Sequence, residues 1–190
     1  MKKFINFLTV VSLLFLFSCG LISDLIPDVE TDFTIKYPVG INSSSGSTDP
    51  DTVDVENSDE YNDFKNNIHG YTINEIRFQI SDSNVPDDLY FKGTINAENI
   101  DGSESVTVGV IDRILLSSYS NDGIEHPVDE VVEGLDQIVV WLDSPGKFVA
   151  MVSYELTKAD GSLYPVEEMN YRFELKIIFD VTVETGVGDS

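Results

Sequence analysis

The sequence has few of the residues that build covalent, metal and nucleophilic sites. Its 190 residues include one cysteine, Cys19, and two histidines, His69 and His126. A single cysteine cannot form an intrachain disulfide, so packing alone must stabilise the fold. We interpret both histidines as solvated loop residues, which leaves little for acid–base catalysis or an imidazole metal site. No G-x-S-x-G, phosphate-loop or HExxH motif is present. We therefore expect no enzyme activity and no cofactor.

Basic residues are also scarce. The chain has 11 Lys and Arg against 34 Asp and Glu, and its formal net charge is −23 at pH 7. Such a chain repels nucleic acid and anionic lipid headgroups, so we predict no nucleic-acid partner. The partners that suit this charge are cations, basic proteins and neutral glycans. Alternatively, the charge keeps the protein soluble and implies no partner.

The apolar run near the start of the chain, from Phe4 to Phe17, is shorter than the roughly 20 residues that a membrane-spanning helix needs. Lys2 and Lys3 precede it, and small residues follow it at Ser18 and Gly20. A basic start, a short apolar stretch and a small-residue end are typical of an export signal. The sequence therefore predicts export from the cytoplasm.

The residues Leu16-Phe17-Ser18-Cys19 resemble a bacterial lipobox. The resemblance covers residues 1–20. It implies cleavage before Cys19, a diacylglyceryl group on the Cys19 sulfur and usually an acyl chain on its amine. Two or more chains give stable membrane anchoring. Inner-membrane retention of some similar lipoproteins depends on an acidic residue at the next position, so Gly20 implies the outer membrane of a bacterial envelope.

The chain after the signal is long enough for a single domain with a sizeable core. We divide the sequence into a signal peptide at 1–18, a lipidated tether at 19–31 and one globular domain at 32–190. Within the domain, we interpret residues 42–57 as an acidic, Ser/Asp-rich loop.

The segment from Met169 to Val183 has an apolar residue at every odd position, and only Ile178 breaks the polar series between them. A period of two predicts a half-buried β-strand. At roughly 3.3 Å per residue the strand would span about 50 Å, so we expect a bend or bulge in it. A strand of this length can serve two sheets in turn.

Other segments alternate in the same way and predict further strands. They are Asp32–Ile41, Tyr71–Ser81, Leu89–Ala97, Val106–Val110 and Lys147–Thr157. The apolar stretch Ile111–Leu116 is either a continuation of the strand before it or a second strand after a kink. Pro38 lacks an N–H and indicates an edge strand, and a change of phase near Asn74 and Glu75 indicates a bulge. The turn at Asp160-Gly161 predicts an antiparallel hairpin between Lys147–Thr157 and the chain after Tyr164.

One helix is predicted from Pro127 to Leu142, where apolar residues recur at helical spacing and Pro127 suits the first helical position. Gln137–Leu142 is alternatively a short strand, and Trp141 belongs to the core. Together the elements predict an all-β fold with one or two short helices. We expect a two-sheet antiparallel β-sandwich whose helix covers one end or edge.

Two groups of acidic residues suggest a calcium-binding site, because Ca²⁺ prefers hard oxygen ligands. One candidate comprises Asp49, Asp51, Asp54 and Glu56, and the other is the loop of Asn121, Asp122 and Gly123. Neither matches the EF-hand pattern, so we prefer to interpret both as solvated acidic loops and keep calcium as the alternative.

Aromatic residues off the predicted core face offer a glycan-binding alternative. Tyr90 lies on the polar side of its strand, and Tyr119 and Tyr164 flank turns. Sugar rings stack on such side chains if they gather on one face. Ordinary exposed tyrosines would look the same in the sequence.

Three functions fit these observations. The one we favour is a lipid-anchored envelope protein whose β-sandwich acts by binding or structural interaction, without catalysis. The second is a surface carbohydrate-binding or adhesin-like module. The third is a carboxylate-dependent hydrolase, which needs two acids about 5 to 10 Å apart in a cleft.

Overall fold

The computed structural model describes residues 29–40, 44–57, 68–81, 83–165 and 172–185. The strands in these ranges are β1 Val29–Gly40, β2 Ser45–Ser47, β3 Asp51–Asp54, β4 Ile68–Ser81, β5 Tyr90–Glu98, β6 Ser105–Leu115, β7 His126–Pro127, β8 Asp129–Glu130, β9 Lys147–Thr157 and β10 Arg172–Thr185. The helices are α1 Leu116–Tyr119 and α2 Val132–Asp143, with a 3₁₀ turn at Val55–Asn57.

The strands form two antiparallel sheets. One has the order β1-β10-β4-β7, and the other has the order β2-β9-β5-β6-β8 with β3 also paired to β9. Their apolar faces pack together, as the ring of Phe91 lies 5.8 Å from that of Phe173 and the ring of Phe148 lies 5.4 Å from that of Phe179. The predicted β-sandwich with short helices is confirmed.

The long strand β10 buries its odd-numbered residues, as its alternation predicts. Phe173, Phe179 and Val183 are each buried at the core. Ile178, the one apolar residue in the polar series, is also buried, on the opposite face beside Thr34 of β1 and Arg77 of β4. The suggestion that this strand serves two sheets is wrong, because β1 and β4 flank it along one sheet only.

The phase change in β4 is a bulge at Asn74. Asp180 of β10 pairs with Glu75, and the next residue, Val181, pairs with Ile73. The displaced Asn74 donates from its side-chain amide to Asp180 Oδ1 at 2.8 Å and to Thr182 Oγ1 at 2.9 Å. The predicted bulge is therefore confirmed, and its extra residue is bonded across the strands.

At the edges of the sandwich, one prediction from the sequence is confirmed and another is wrong. β1, which contains Pro38, lies at the edge of its sheet as predicted. Residues 42–57, interpreted as a loop, instead contribute β2 and β3, which pair with β9. The backbone edge of β9 would otherwise remain unpaired, and this pairing is invisible in a polar sequence without alternation.

The hairpin predicted between β9 and β10 does not form. The turn around Gly161 closes only a bridge from Thr157 to Leu163, with the Tyr164 N–H donating to the Leu156 carbonyl at 2.9 Å. Pro165 follows and has no N–H with which to extend the ladder. β9 and β10 lie in different sheets and meet through their apolar faces.

Helix α2 begins at Val132, so the predicted start at Pro127 is wrong. Pro127 belongs to β7 on one sheet, and Asp129 belongs to β8 on the other. Val128 is buried between them, so its apolar side chain belongs to the core of the sandwich and not to the helical stripe. The alternative strand at Gln137–Leu142 is helix, and Trp141 is buried as predicted.

Helix α2 covers one end of the sandwich, where it contacts β4 of one sheet and β6 and β9 of the other. Gly134 permits the close approach, since an added Cβ would lie 2.1 Å from the Thr107 carbonyl oxygen. In the part of the chain that the structure describes, no helix combines the length and apolarity that a membrane crossing requires.

Candidate functional site

A cleft opens between the two sheets beside β7. We call it the β7 cleft, and its volume is about 190 Å³. Strands β4, β6, β7 and β8 and helix α1 supply its lining, which comprises Phe78, Val110, Ile111, Asp112, Ile114, Tyr119, His126, Pro127 and Asp129. The chain crosses from one sheet to the other through β7 and β8. Each of these strands is only two residues long, so they leave the gap between the two sheets open.

Three aromatic rings form one wall of the β7 cleft. The ring of His126 lies 4.6 Å from that of Tyr119 and 5.5 Å from that of Phe78, and Phe78 lies 5.9 Å from Tyr119. Phe78 is buried, whereas Tyr119 and His126 are half-buried and reach the solvent. The hydroxyl of Tyr119 has no hydrogen-bond partner among the described residues. The wall therefore offers both an apolar surface and a polar tip.

His126 is held in place by the loop before it. Its Nε2 lies 2.8 Å from Asp122 Oδ2, and Asp122 also accepts the Ile124 N–H at 2.8 Å. The Ile124 N–H, and after it His126, lower the pKa of Asp122. His126 is thus an ordered wall residue, and its interpretation as a solvated loop residue is wrong because ring packing cannot be read from its neighbours in sequence.

Two carboxylates, Asp112 and Asp129, complete the lining on the side of β6 and β8. Asp112 accepts the Arg113 backbone N–H at 2.8 Å, and within the described ranges neither carboxylate forms an ion pair. The side chain of Arg113 turns away, with its guanidinium 3.9 Å from the centre of the Tyr90 ring and a donated bond of 2.5 Å to the Lys158 carbonyl. The cleft therefore carries negative charge that its neighbouring arginine does not neutralise.

Arg77 of β4 ties the loop before β7 to the sheet. Its guanidinium pairs with Glu125, and it lies 3.7 Å from Glu75 and 3.6 Å from Asp180. Glu125 adjoins His126, so this cluster holds β7 against β4. It positions the aromatic wall without lining the cleft.

The tyrosines proposed for sugar stacking do not form one platform. Tyr164 is buried and its hydroxyl donates to Asp88 at 3.3 Å, while the ring of Tyr90 is covered by Arg113. Only Tyr119 of the three lines the β7 cleft.

Three of the carboxylates considered for calcium have other partners. Asp54 accepts the Glu56 N–H at 3.1 Å and lies 3.7 Å from Lys147 Nζ, and Asp51 accepts the Thr52 N–H at 2.8 Å. Asp122 bonds to His126. The described ranges contain no group of three or more His, Cys, Asp or Glu residues that could hold a metal ion.

Cys19 and the signal peptide lie outside the described residues, as does most of the tether. Lipidation at Cys19 therefore stays a prediction from the sequence.

Comparisons with known proteins show no family. No protein-family model matches the chain, and no curated protein matches it. Among solved structures it is similar to a chain of Desmodium yellow mottle tymovirus, with 6% identity over 86% of this chain and 85% of that chain and a TM-score of 0.33. A likeness this distant does not bear on function.

Sequence reasoning missed the cleft, although it noted several of its residues. Asp112 interrupts the apolar stretch Ile111–Leu116, which is an available signal for a polar group beside a buried strand. Asp129 falls within the predicted helix Pro127–Leu142, and Phe78 falls within the predicted strand Tyr71–Ser81. Their convergence depends on the pairing of β7 with β4 and β8 with β6, which no local pattern specifies.

The Asp122→Asn variant is expected to be less stable than the wild type near neutral pH, and the difference should become smaller in acid. Because the native pKa of Asp122 lies below its ordinary value of 3.8, the ionised carboxylate stabilises the fold fully at pH values above that ordinary value. That stability is lost as the pH falls through the native pKa. Urea-unfolding midpoints at about pH 7 and about pH 2.5 test this. A difference that stays constant between the two would contradict it.

Proposed function

We propose that this protein is a lipid-anchored envelope protein whose β-sandwich domain acts by binding, with the β7 cleft as its binding site. The observation that carries the proposal is the aromatic wall of Phe78, Tyr119 and His126, which opens to solvent beside Asp112 and Asp129. A concave apolar surface with a few convergent polar groups is the usual form of a ligand site.

The contacts of His126 hold its ring in place as part of the cleft wall. Asp122 occupies its Nε2, and the rings of Phe78 and Tyr119 pack against it. These contacts hold the imidazole as part of a wall.

The resemblance of Leu16-Phe17-Ser18-Cys19 to a lipobox supports the proposed lipid anchor. Cleavage before Cys19 would remove Lys2 and Lys3 and take the formal charge from −23 to −25. The tether then leads into β1, and Gly20 favours the outer membrane. A domain held there by its lipids would meet its ligand at the membrane surface.

A Cys19→Ser variant is expected to abolish lipidation and release the protein from the membrane fraction. Cells fed an alkyne-tagged palmitate should label the wild type and leave the variant unlabelled, because the acceptor sulfur is gone. Ser18→Ala is the matched control, since it keeps a small residue before the cysteine and should label normally. Membrane retention of an unlabelled Cys19→Ser protein would contradict the lipid anchor.

Binding at the cleft is tested separately by a photo-crosslinking amino acid placed at Tyr119 in living cells. A discrete adduct is expected there, whereas the same group at the exposed Ile100, in the turn between β5 and β6, should give none. Equal adducts at both positions, or none at either, would count against the cleft. Protease shaving of intact cells then shows whether the domain faces the medium or the periplasm.

A further inference from the structure

We infer that the β7 cleft binds the side-chain ammonium or guanidinium group of a lysine or arginine on a basic partner protein. The inference rests on the proposed function, because it names the ligand of the same site. It joins three observations that concern the walls, the charge and the size of the cleft.

The walls suit a cation on an aliphatic stem. Tyr119 and His126 present rings, and a cation is attracted to the negative face of an aromatic ring such as that of Tyr119. Val110 and Ile114 line the same space and provide apolar surface for methylene groups. Lysine and arginine combine these two parts, since their stems pack on apolar surface while the charged ends keep polar contacts.

The charge of the cleft has the complementary sign. Asp112 and Asp129 both line it, and neither has a cationic partner in the part of the chain that the structure describes. The neighbouring basic groups are engaged elsewhere. Arg113, next to Asp112 in sequence, covers Tyr90, and Arg77, which pairs with Pro127 across the strands, holds Glu125. An incoming cation would therefore find two carboxylates without displacing an internal ion pair.

The size of the cleft fits one side chain. Its volume of about 190 Å³ is below the roughly 300 to 1,000 Å³ of sites that take drug-sized ligands. The net charge of −23 would in addition steer a basic protein towards this domain.

The NMR signals of the histidine side chains give a direct test, because the chain contains only two histidines, His69 and His126. The full chain, labelled with ¹³C at the histidine ε1 carbon and held in an uncharged detergent without sugar groups, is titrated at about pH 7.5, where an ordinary imidazole is mostly neutral. The probes are the Nα-acetyl methylamides of lysine, arginine and norleucine, and methyl glucoside. The His126 signal should shift saturably with lysine and arginine. The exposed His69 in β4 reports non-specific effects and should not shift.

Charge variants distinguish binding at the cleft from attraction by the overall negative charge of the protein. Asp112→Asn with Asp129→Asn should weaken binding of the lysine probe by about tenfold or more, since it removes both carboxylates from the lining. Glu98→Gln with Glu104→Gln removes the same charge around the β5–β6 turn and should change affinity less than about twofold. A lysine-rich peptide should bind at least about tenfold more tightly than the single residue, because the negative charge of the protein also attracts its other lysines.

The inference is overturned if norleucine or methyl glucoside shifts His126 with the affinity of lysine, if no cation shifts it, or if the double aspartate variant binds like the wild type. Equal affinity of the single lysine probe and the peptide would overturn the assignment to a protein partner. Norleucine or glucoside binding would leave the cleft as a binding site for another ligand. The palmitate label and the Tyr119 crosslink test the proposed function independently of all these results.

Discussion

Phe179→Ala is expected to lower the free energy of unfolding by about 3 to 5 kcal/mol, the usual cost of removing a buried phenylalanine ring. Phe179 is fully buried, and its ring meets that of Phe148 edge to face at 5.4 Å across the sandwich. It lies in β10, between Phe33 of β1 and Ile76 of β4. Removing the ring leaves a cavity where the two sheets meet, and the rigid strands around it cannot close it.

The measurement is urea unfolding in a Cys19→Ser background, so that no lipid complicates the transition. Glu174→Ala in the same strand is the matched control, because Glu174 points to the outer face and bonds only weakly to Ser81, at 3.3 Å. It should cost within about 0.5 kcal/mol. Equal losses in the two variants would refute the assignment of the odd-numbered residues of β10 to the core.

Gly134→Ala is expected to destabilise the protein by about 1 to 3 kcal/mol, the usual cost of overpacking a core. Helix propensity alone predicts the opposite sign, a gain of about 0.8 to 1.0 kcal/mol over glycine. The contact decides between them, because the new methyl group would lie 2.1 Å from the Thr107 carbonyl oxygen and 3.1 Å from the Val108 Cα. Both are backbone atoms, so helix α2 must move away from β6.

Asp136→Ala, on the exposed side of the same helix, is the matched control and should be neutral or slightly stabilising. The measurement is the thermal unfolding temperature of each of the two variants, compared with that of the parent protein. A stabilised Gly134→Ala protein would show that α2 does not lie against β6 as the structure has it.

Local alternation predicted most of the strands because it depends only on which face of a strand is buried. The odd-numbered residues of β10 and the bulge at Asn74 follow this pattern. Where one apolar run crosses two environments, the same reasoning fails. Val128 fits a helical stripe by spacing, yet it is buried between β7 and β8, and the helix begins four residues later at Val132.

The candidate site was less predictable than the fold. The sequence indicates Tyr119 as a candidate for sugar stacking, Asp122 as a candidate calcium ligand and His126 as a solvated loop residue. The structure joins them through one ring contact and one hydrogen bond. Phe78 and Asp112 come from strands in opposite sheets, so their presence in the same cleft depends on how those sheets pack.

By itself, the sequence determined the resemblance of residues 1–20 to a lipoprotein signal, the acidic charge, the absence of an intrachain disulfide and the alternating strands. Each depends on residue identity or on neighbours within a few positions. The tertiary structure alone decided that β9 and β10 lie in different sheets, that residues 45–54 add strands to β9, and that the chain at 126–130 crosses between the sheets beside a charged aromatic cleft. The physical reason is that any strand edge can hydrogen-bond with many others, so the partner is selected by burial of the whole core.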